Sequence, residues 1–404
     1  MAAETRRLQA FPMSRAASCP FDPPPALRAL QVASPLTRVR LWDDSIAWLV
    51  TRHAEQRKLL ADPRLSADAS HPHYPHRGPA QKELLAGERS FIVMDDPEHA
   101  RMRRMLTAAF AIKRVETLRP AIQRIADRLI DDMLAGPPPL DLVTAFALPL
   151  PSSVICELLG VPYGDHEFFQ ANSRILLNNA TTPQQARSAR ERLTDYLDGL
   201  LGQRLADPRG DLLSDLARHV NDGELTRHAA AVMASLLLVA GHETTANMIA
   251  LGTLALLQHP EQVEALRATD DPALIAAAVE ELLRYLSIVQ SGRRRVALQD
   301  IPIAGQTIRA GEGVILATEA ANRDASVFAD PDRLDVHRDA RGHMAFGFGV
   351  HQCLGQPLAR VELQVALGTL FRRIPTLRPA VGLDGIPFKH DSLVYGVYEL
   401  PVGW

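Results

Sequence analysis

Three cysteines in 404 residues are too few and too scattered for the work cysteines do in groups. Cys19, Cys156 and Cys353 are odd in number and far apart, which fits neither a disulfide framework nor closely spaced zinc or iron–sulfur ligands. A reducing cytoplasm is the setting that follows. Charge of one sign is also lacking: 44 Lys and Arg stand against 47 Asp and Glu, a net −3, so no bulk positive charge draws nucleic acid or anionic membrane. The N-terminus carries Arg6, Arg7 and Arg15 but no apolar block after them, and the Pro-rich stretch from Pro20 to Pro25 is unlike a signal peptide. The longest apolar run, Ala229 to Gly241, is too short to span a bilayer and is stopped by His242 and Glu243. It reads as a buried core helix, and no membrane anchor is expected. Internal repeats and low-complexity linkers are missing as well, so residues 1–404 are expected to form a single domain, with 1–20 a flexible lead-in.

What is present is an ordinary globular composition, 47% hydrophobic and 23% charged, long enough for a core that encloses a cofactor. Val115, Leu118, Ile122, Ile125, Leu129 and Met133 recur at steps of three and four, an amphipathic helix stopped by Gly136 and three prolines. Helical patterns also fit roughly 45–61, 98–112, 151–159, 165–205, 211–221, 224–268, 273–286 and 357–374. Alternation at Val296 and Leu298 and at Ile301 and Ile303, with a turn before Thr307 and Ile308, predicts a small β region. The Pro/His-rich segment 71–79 reads as an exposed loop. The fold class is mainly α.

The segment 346–355, FGFGVHQCLG, sets Cys353 among Gly347, Gly349 and Gly355 just before Pro357 and a long helix. Glycines let the backbone wrap closely around the sulfur, and nearby N–H groups with the positive end of the helix favour thiolate over thiol. A thiolate is a nucleophile or a metal ligand. A buried cysteine in a Gly-rich turn is the bland alternative, and the loop alone leaves both open. In Ala240-Gly241-His242-Glu243-Thr244-Thr245 a small-residue gap, an acid and two hydroxyls interrupt an apolar helix, where a Thr hydroxyl bonded to a preceding carbonyl is expected to distort the helix and open a groove. On their own the threonines read as back-bonded helix residues and Glu243 as a surface carboxylate. Glu281 and Arg284, three apart, read in isolation as a weak surface pair. His99 and Arg103, four apart, aim at one point.

Taken together, Phe346, Gly349, His351, Cys353 and Gly355 resemble the haem-binding loop of the cytochrome P450 superfamily in its soluble bacterial form. The resemblance runs from about Cys19 to the C-terminus and is strongest to actinomycete-type enzymes that hydroxylate macrolides, sterol-like molecules and other secondary metabolites. It implies a triangular, mainly helical prism with a small β region and haem b (iron protoporphyrin IX), with Cys353 as the proximal thiolate ligand. By the same resemblance Glu243 and Thr244 relay protons, and Ala240 faces the pocket one turn before Thr244. His242 is left out of the catalytic set, because the motif leaves its position variable and Glu243 is the better proton carrier. Glu281 and Arg284 match the family's E-x-x-R element, with Arg333 of Pro331-Asp332-Arg333-Leu334 completing a structural network. Leu334 stands where the family usually has Phe.

Two haem propionates need cations or strong donors at one edge of the porphyrin. His99, Arg103, Arg295 and His351 are the set the resemblance implies, Arg295 standing beside Arg293 and Arg294. A substrate pocket is expected from the 70–92 loop, the helices around 168–196, Leu236, Val239, Ala240, Ile288, Val289, Gln290 and Val394, suited to a bulky lipophilic compound.

The implied activity is monooxygenation, by hydroxylation or epoxidation, in a cytoplasmic monomer. The chain has no flavin or dinucleotide loop and no iron–sulfur cluster motif, so electrons come from outside. The resemblance implies a ferredoxin, or a flavodoxin, with its NAD(P)H-dependent reductase. Arg101, Arg104, Lys113 and Arg114 are the docking patch in view, against the alternative of ordinary solvated charges. A haem-thiolate gas sensor or carrier without turnover does not need the proton relay. A peroxide-driven relative would generally lack the Glu243-Thr244 pair, and a cysteine hydrolase would need no iron.

Overall fold

The computed structural model describes residues 8–87, 89–268 and 271–404; Arg6 and Arg7 of the expected lead-in lie outside them. The helices that build the site are, in chain order, α1 (Glu98–Thr107), α2 (Pro149–Leu159), α3 (His166–Leu177), α4 (Arg227–Leu257), α5 (Pro272–Leu286) and α6 (Gln356–Arg373). A five-stranded sheet, in the order β1-β2-β5-β4-β3, joins β1 (Leu36–Arg40), β2 (Ile46–Val50), β3 (Leu65–Ser66), β4 (Arg293–Ala297) and β5 (Gly313–Leu316). The β2–β5 pair is parallel and the others are antiparallel. The mainly helical architecture is the one the sequence predicts.

α4 is the axis of the helical body. By length and apolarity it is a helix able to cross a membrane. Here protein takes the place of lipid: Met233, Ala234, Leu238, Ile249, Leu251 and Leu254 are all buried in the largest hydrophobic cluster. The helix begins at Thr226, whose hydroxyl accepts the Ala229 N–H. Gly241 lets it approach α2, since a Cβ there would lie 2.6 Å from Cγ1 of Ile155.

Several expected boundaries move for physical reasons. Residues 46–50 are a strand, not the start of a helix over 45–61; only His53–Leu60 is helical. β2 is central, with Trp48 and Val50 in one cluster and Ala47 and Leu49 in another, and a strand buried on both faces reads as a continuous apolar run. The span 165–205 is two helices, broken before Pro183, where Thr182 and Gln185 form a capping box. The span 224–268 breaks at Pro260, and 98–112 ends at Thr107. The 71–79 segment is a loop up to α-helical Pro79, but Tyr74 is buried against Val296 rather than exposed. The lead-in is tied down where it is described: Phe11 is in the core, and the buried Arg15 donates to the Asp22 carbonyl and stacks on Tyr395.

Candidate active site

The cysteine loop is shaped by two left-handed glycines, Gly347 at φ 78° and Gly349 at φ 75°. A side chain at Gly349 would also overlap the Leu60 carbonyl. The Gly347 N–H donates to the Met344 carbonyl at 2.8 Å, and the Cys353 N–H donates to the Phe346 carbonyl at 2.8 Å. Gly355 caps α6, which carries Pro357 in its first turn. Cys353 is open to a cavity that Ala240 and Thr244 of α4 line from the other side, with Phe346, Gly355 and His351 in the same wall as the cysteine.

Opposing influences meet at the sulfur. Protein surrounds it closely enough that burial pushes the thiol pKa up, outweighing the Gly355 N–H and the charges of Arg293, Arg103 and Arg360, which pull it down. The loop supplies the expected donors, and enclosure opposes them.

At the edge of the cavity His99 and His351 lie ring against ring, 4.1 Å between centroids. His99 Nδ1 meets Asp96 at 3.0 Å, while its buried Nε2 has no partner. Arg103 donates to the Gln352 carbonyl at 2.7 Å. Burial, with the charges of Arg295, His99 and Arg103, depresses the His351 pKa to about 3. The four propionate candidates are therefore one cluster, rich in donors, with an unsatisfied nitrogen and Asp96 as the carboxylate beside it. Such a cluster suits a doubly anionic edge. Strand periodicity sorts the three arginines of β4. Arg295 pairs across to Val314 and Arg293 to Leu316 on one face, with Arg294 on the other, near Phe11. Arg293 donates to Thr318 Oγ1 at 2.6 Å and to the Ala345 carbonyl at 3.0 Å, bracing the cysteine loop. Sequence reasoning missed that role, although the alternation pairs Arg293 with Arg295.

α4 remains helical through Gly241–Thr245, so the expected distortion does not interrupt it. Thr244 Oγ1 donates to the Ala240 carbonyl at 2.8 Å and still lines the cavity; the bland back-bond and the pocket position coexist. Glu243 points the other way. It is buried, lining a second, polar cavity with Arg174, Asn178, Lys389 and Tyr398, and its Oε2 lies 3.9 Å from Lys389 Nζ. His242 is fully enclosed and burial lowers its pKa; its Nδ1 meets the Leu238 carbonyl at 2.6 Å. Lys389, 146 positions away in sequence by the residue numbers, carried no signal that could have found it.

Glu281 and Arg284 are not a surface pair. Both are fully buried, joined by two hydrogen bonds of 2.7 and 2.8 Å. Arg284 also donates to the carbonyls of Asn322 and Pro331, and Asn322 Oδ1 accepts the Met344 N–H at 2.7 Å, which carries the network to the cysteine loop. The expected third arginine is corrected. Arg333 is exposed and gives only its carbonyl to Arg284, whereas Arg338 Nε meets Glu281 at 3.1 Å. The turn after buried Leu334 presents Arg338 inward. Nearby, Arg360 grips Glu280 at 2.6 and 2.9 Å and covers the Phe346 ring.

Of the expected substrate pocket, Leu236, Ala240 and, from the 70–92 loop, Phe91 and Ile92 line the cysteine cavity. Val239, Ile288, Val289, Gln290 and Val394 are not among its lining residues: Val289 bridges Val394, Tyr395 N donates to the Ile288 carbonyl, and Gln290 is tied to Leu393, Ser392 and Arg15. Val239 is half-buried against the helical core. Arg101, Arg104, Lys113 and Arg114 are exposed, with Arg101 held on the Glu224 carbonyl.

Residues 70–376 match the cytochrome P450 family model. The chain is 55% identical to cytochrome P450 GfsF of Streptomyces halstedii over 98% of this chain and 96% of that one. It is 45% identical to the 20-oxo-5-O-mycaminosyltylactone 23-monooxygenase of Streptomyces fradiae, covering 99% and 93%. The solved structure of the mycinamicin VIII C21 methyl hydroxylase MycCI from Micromonospora griseorubida, bound to mycinamicin VIII, superposes with a TM-score of 0.93 at 42% identity, covering 98% of this chain and all of that one. With this fold along its whole length, the chain belongs to the cytochrome P450 family of haem-thiolate monooxygenases.

Proposed function

We propose that this P450, acting as a single cytoplasmic catalytic unit, oxidises a bulky lipophilic secondary metabolite, a macrolide before a sterol-like compound. The macrolide preference rests on the mycinamicin VIII and mycaminosyltylactone named for its relatives and on the apolar lining that Leu236, Leu237 and Ile155 give the cavity. Haem held through a thiolate supplies dioxygen activation with two external electrons, one oxygen atom going into the substrate and the other to water. Cys353 is the residue to hold the iron, in a cavity whose apolar lining beside it includes Phe346 and Leu358. His99, Arg103, Arg295 and His351 bind the propionate edge; the unpartnered His99 Nε2 is the single observation that carries this assignment.

Thr244 presents its hydroxyl oxygen to the cavity, with its own hydrogen given to the Ala240 carbonyl. Glu243 holds its carboxylate in the polar cavity beside Lys389 and is the proton carrier assigned to the Thr244 side. Electrons come from a ferredoxin docking on the face of Arg104, Lys113 and Arg114, where Ile112 is also exposed. Reversing two of these charges slows ferredoxin-dependent reduction; unchanged salt dependence would reject the patch.

The deciding experiment is the absorption spectrum of the reduced, carbon-monoxide-bound protein beside Cys353→Ala. The red-shifted thiolate band is expected in the wild type alone. A colourless, haem-free wild type after proper maturation would overturn the assignment. A macrolide panel scored by the spectral shift on binding then identifies the compound class.

A further inference from the structure

Glu243 is held from two sides. Asn247, one turn along α4, is buried, and its side-chain amide donates to the Glu243 carbonyl at 2.6 Å and to Oε2 at 3.3 Å. Facing it is the C-terminal hairpin closed by the Phe388–Val397 bridge, in which Lys389 N donates to the Gly396 carbonyl at 2.9 Å. The hairpin delivers two things to one spot. Lys389 Nζ comes to 3.9 Å from Glu243 Oε2, and Gly396 comes so close to Asn247 that any Cβ there would overlap its Oδ1. Gly396 is not among the left-handed glycines. Glycine serves here by leaving room for the amide, not by freeing the backbone.

We propose that Asn247, seated by Gly396, is a positioning residue for Glu243: the hairpin fixes the amide, and the amide fixes where the carboxyl stands, facing the polar cavity rather than the cysteine. This rests on the proton-carrying role given to Glu243 above. The other groups facing that carboxyl are His242, with Nε2 4.0 Å from Oε1, Lys389 of the hairpin, Arg174 of α3, and Tyr398, which lines the same cavity. A donor to a carboxylate favours the ionised form. Losing the Asn247 amide removes this donor from Oε2, with the surrounding cations unchanged.

The test is the infrared carboxyl band of Glu243 in the resting haem-loaded enzyme, identified by difference against Glu243→Gln. Asn247→Ala is expected to shift that band, because the carboxyl oxygen loses a hydrogen-bond donor. Gly396→Ala, which removes no polar group, is expected to shift it the same way by pushing the amide aside. The double variant should match Asn247→Ala alone, because the new methyl then fills vacated space, so the two effects do not add. Should Gly396→Ala by itself fail to load haem, restoration of loading by adding Asn247→Ala supports the same seat. An unmoved band in Asn247→Ala, full additivity, or no restoration overturns the inference. The relay fails separately: Glu243→Gln that couples NAD(P)H use fully to product, with a macrolide giving a binding shift, sinks that role while leaving the infrared result standing.

Discussion

Two helices each bury a carboxylate that faces cations, and they treat it in opposite ways. On α5, Glu281 has both oxygens occupied: two bonds from Arg284, one from Arg338 and the Asp335 N–H at 3.0 Å. On α4, Glu243 has Asn247 at 3.3 Å and Lys389 no nearer than 3.9 Å, beside a cavity open to water. A carboxylate saturated by short bonds in a dry interior cannot change state without large cost. One left with loose contacts beside a polar cavity keeps room for another partner. The degree of satisfaction, not burial, separates the scaffold carboxylate from the one proposed as a relay.

The sharpest way to break this contrast is to remove a member of the saturated set. Arg284→Leu or Glu281→Gln is expected to cost about 3–5 kcal/mol, because it leaves buried charge unpaired; chemical denaturation of the loaded protein measures it, along with loss of haem uptake. Glu280, the neighbour of Glu281, comes next. Burial alone would push its pKa up, yet the bonds from His343 and Arg360 prevail and bring it down to about 2. A carboxylate depressed below its ordinary 4.5 stabilises the fold above that value and loses its contribution as pH falls toward 2, a range of some two units and about 3 kcal/mol. Stability of Glu280→Gln is expected to fall less steeply below pH 4.5 than that of the wild type; parallel acid limbs would refute this.

A smaller effect distinguishes the two candidate arginines. Arg338→Ala removes one donor from Glu281 and is expected to cost about 1–2 kcal/mol, whereas Arg333→Ala should stay within about 0.5 kcal/mol. The reverse order in a melting comparison would restore Arg333. The smallest change in stability belongs to the relay: Thr244→Ala is expected to leave the melting point within about 2 °C while diverting most of the NAD(P)H consumed into peroxide. Full coupling in that variant would remove Thr244 from the proton path.

Much of the site is legible in sequence because it is local. Cys353, its glycines and Phe346 fall within ten residues, His99 and Arg103 within one helical turn, and Ala240 and Thr244 likewise, so spacing alone puts them on one surface. The alternation of β4 resolves the run of three arginines once the strand is known. What misled were features whose meaning depends on distant partners. β2 looked helical because a central strand is apolar on both faces, Glu281 and Arg284 looked superficial because their burial comes from Asn322 and Pro331, and Arg333 was chosen where a turn presents Arg338.

The sequence by itself determined the chemistry available: a single cysteine in a glycine loop, a hydroxyl one turn from an alanine, a cluster of bases for an acidic edge. Only the tertiary structure decided the directions. It turned Glu243 away from Thr244 toward Lys389, set Gly396 against Asn247, and set burial against the Gly355 N–H and the nearby arginines at Cys353. Spacing along a helix fixes an angle about its axis, but what a side chain meets there, water, cation or backbone, is set by chain hundreds of residues away.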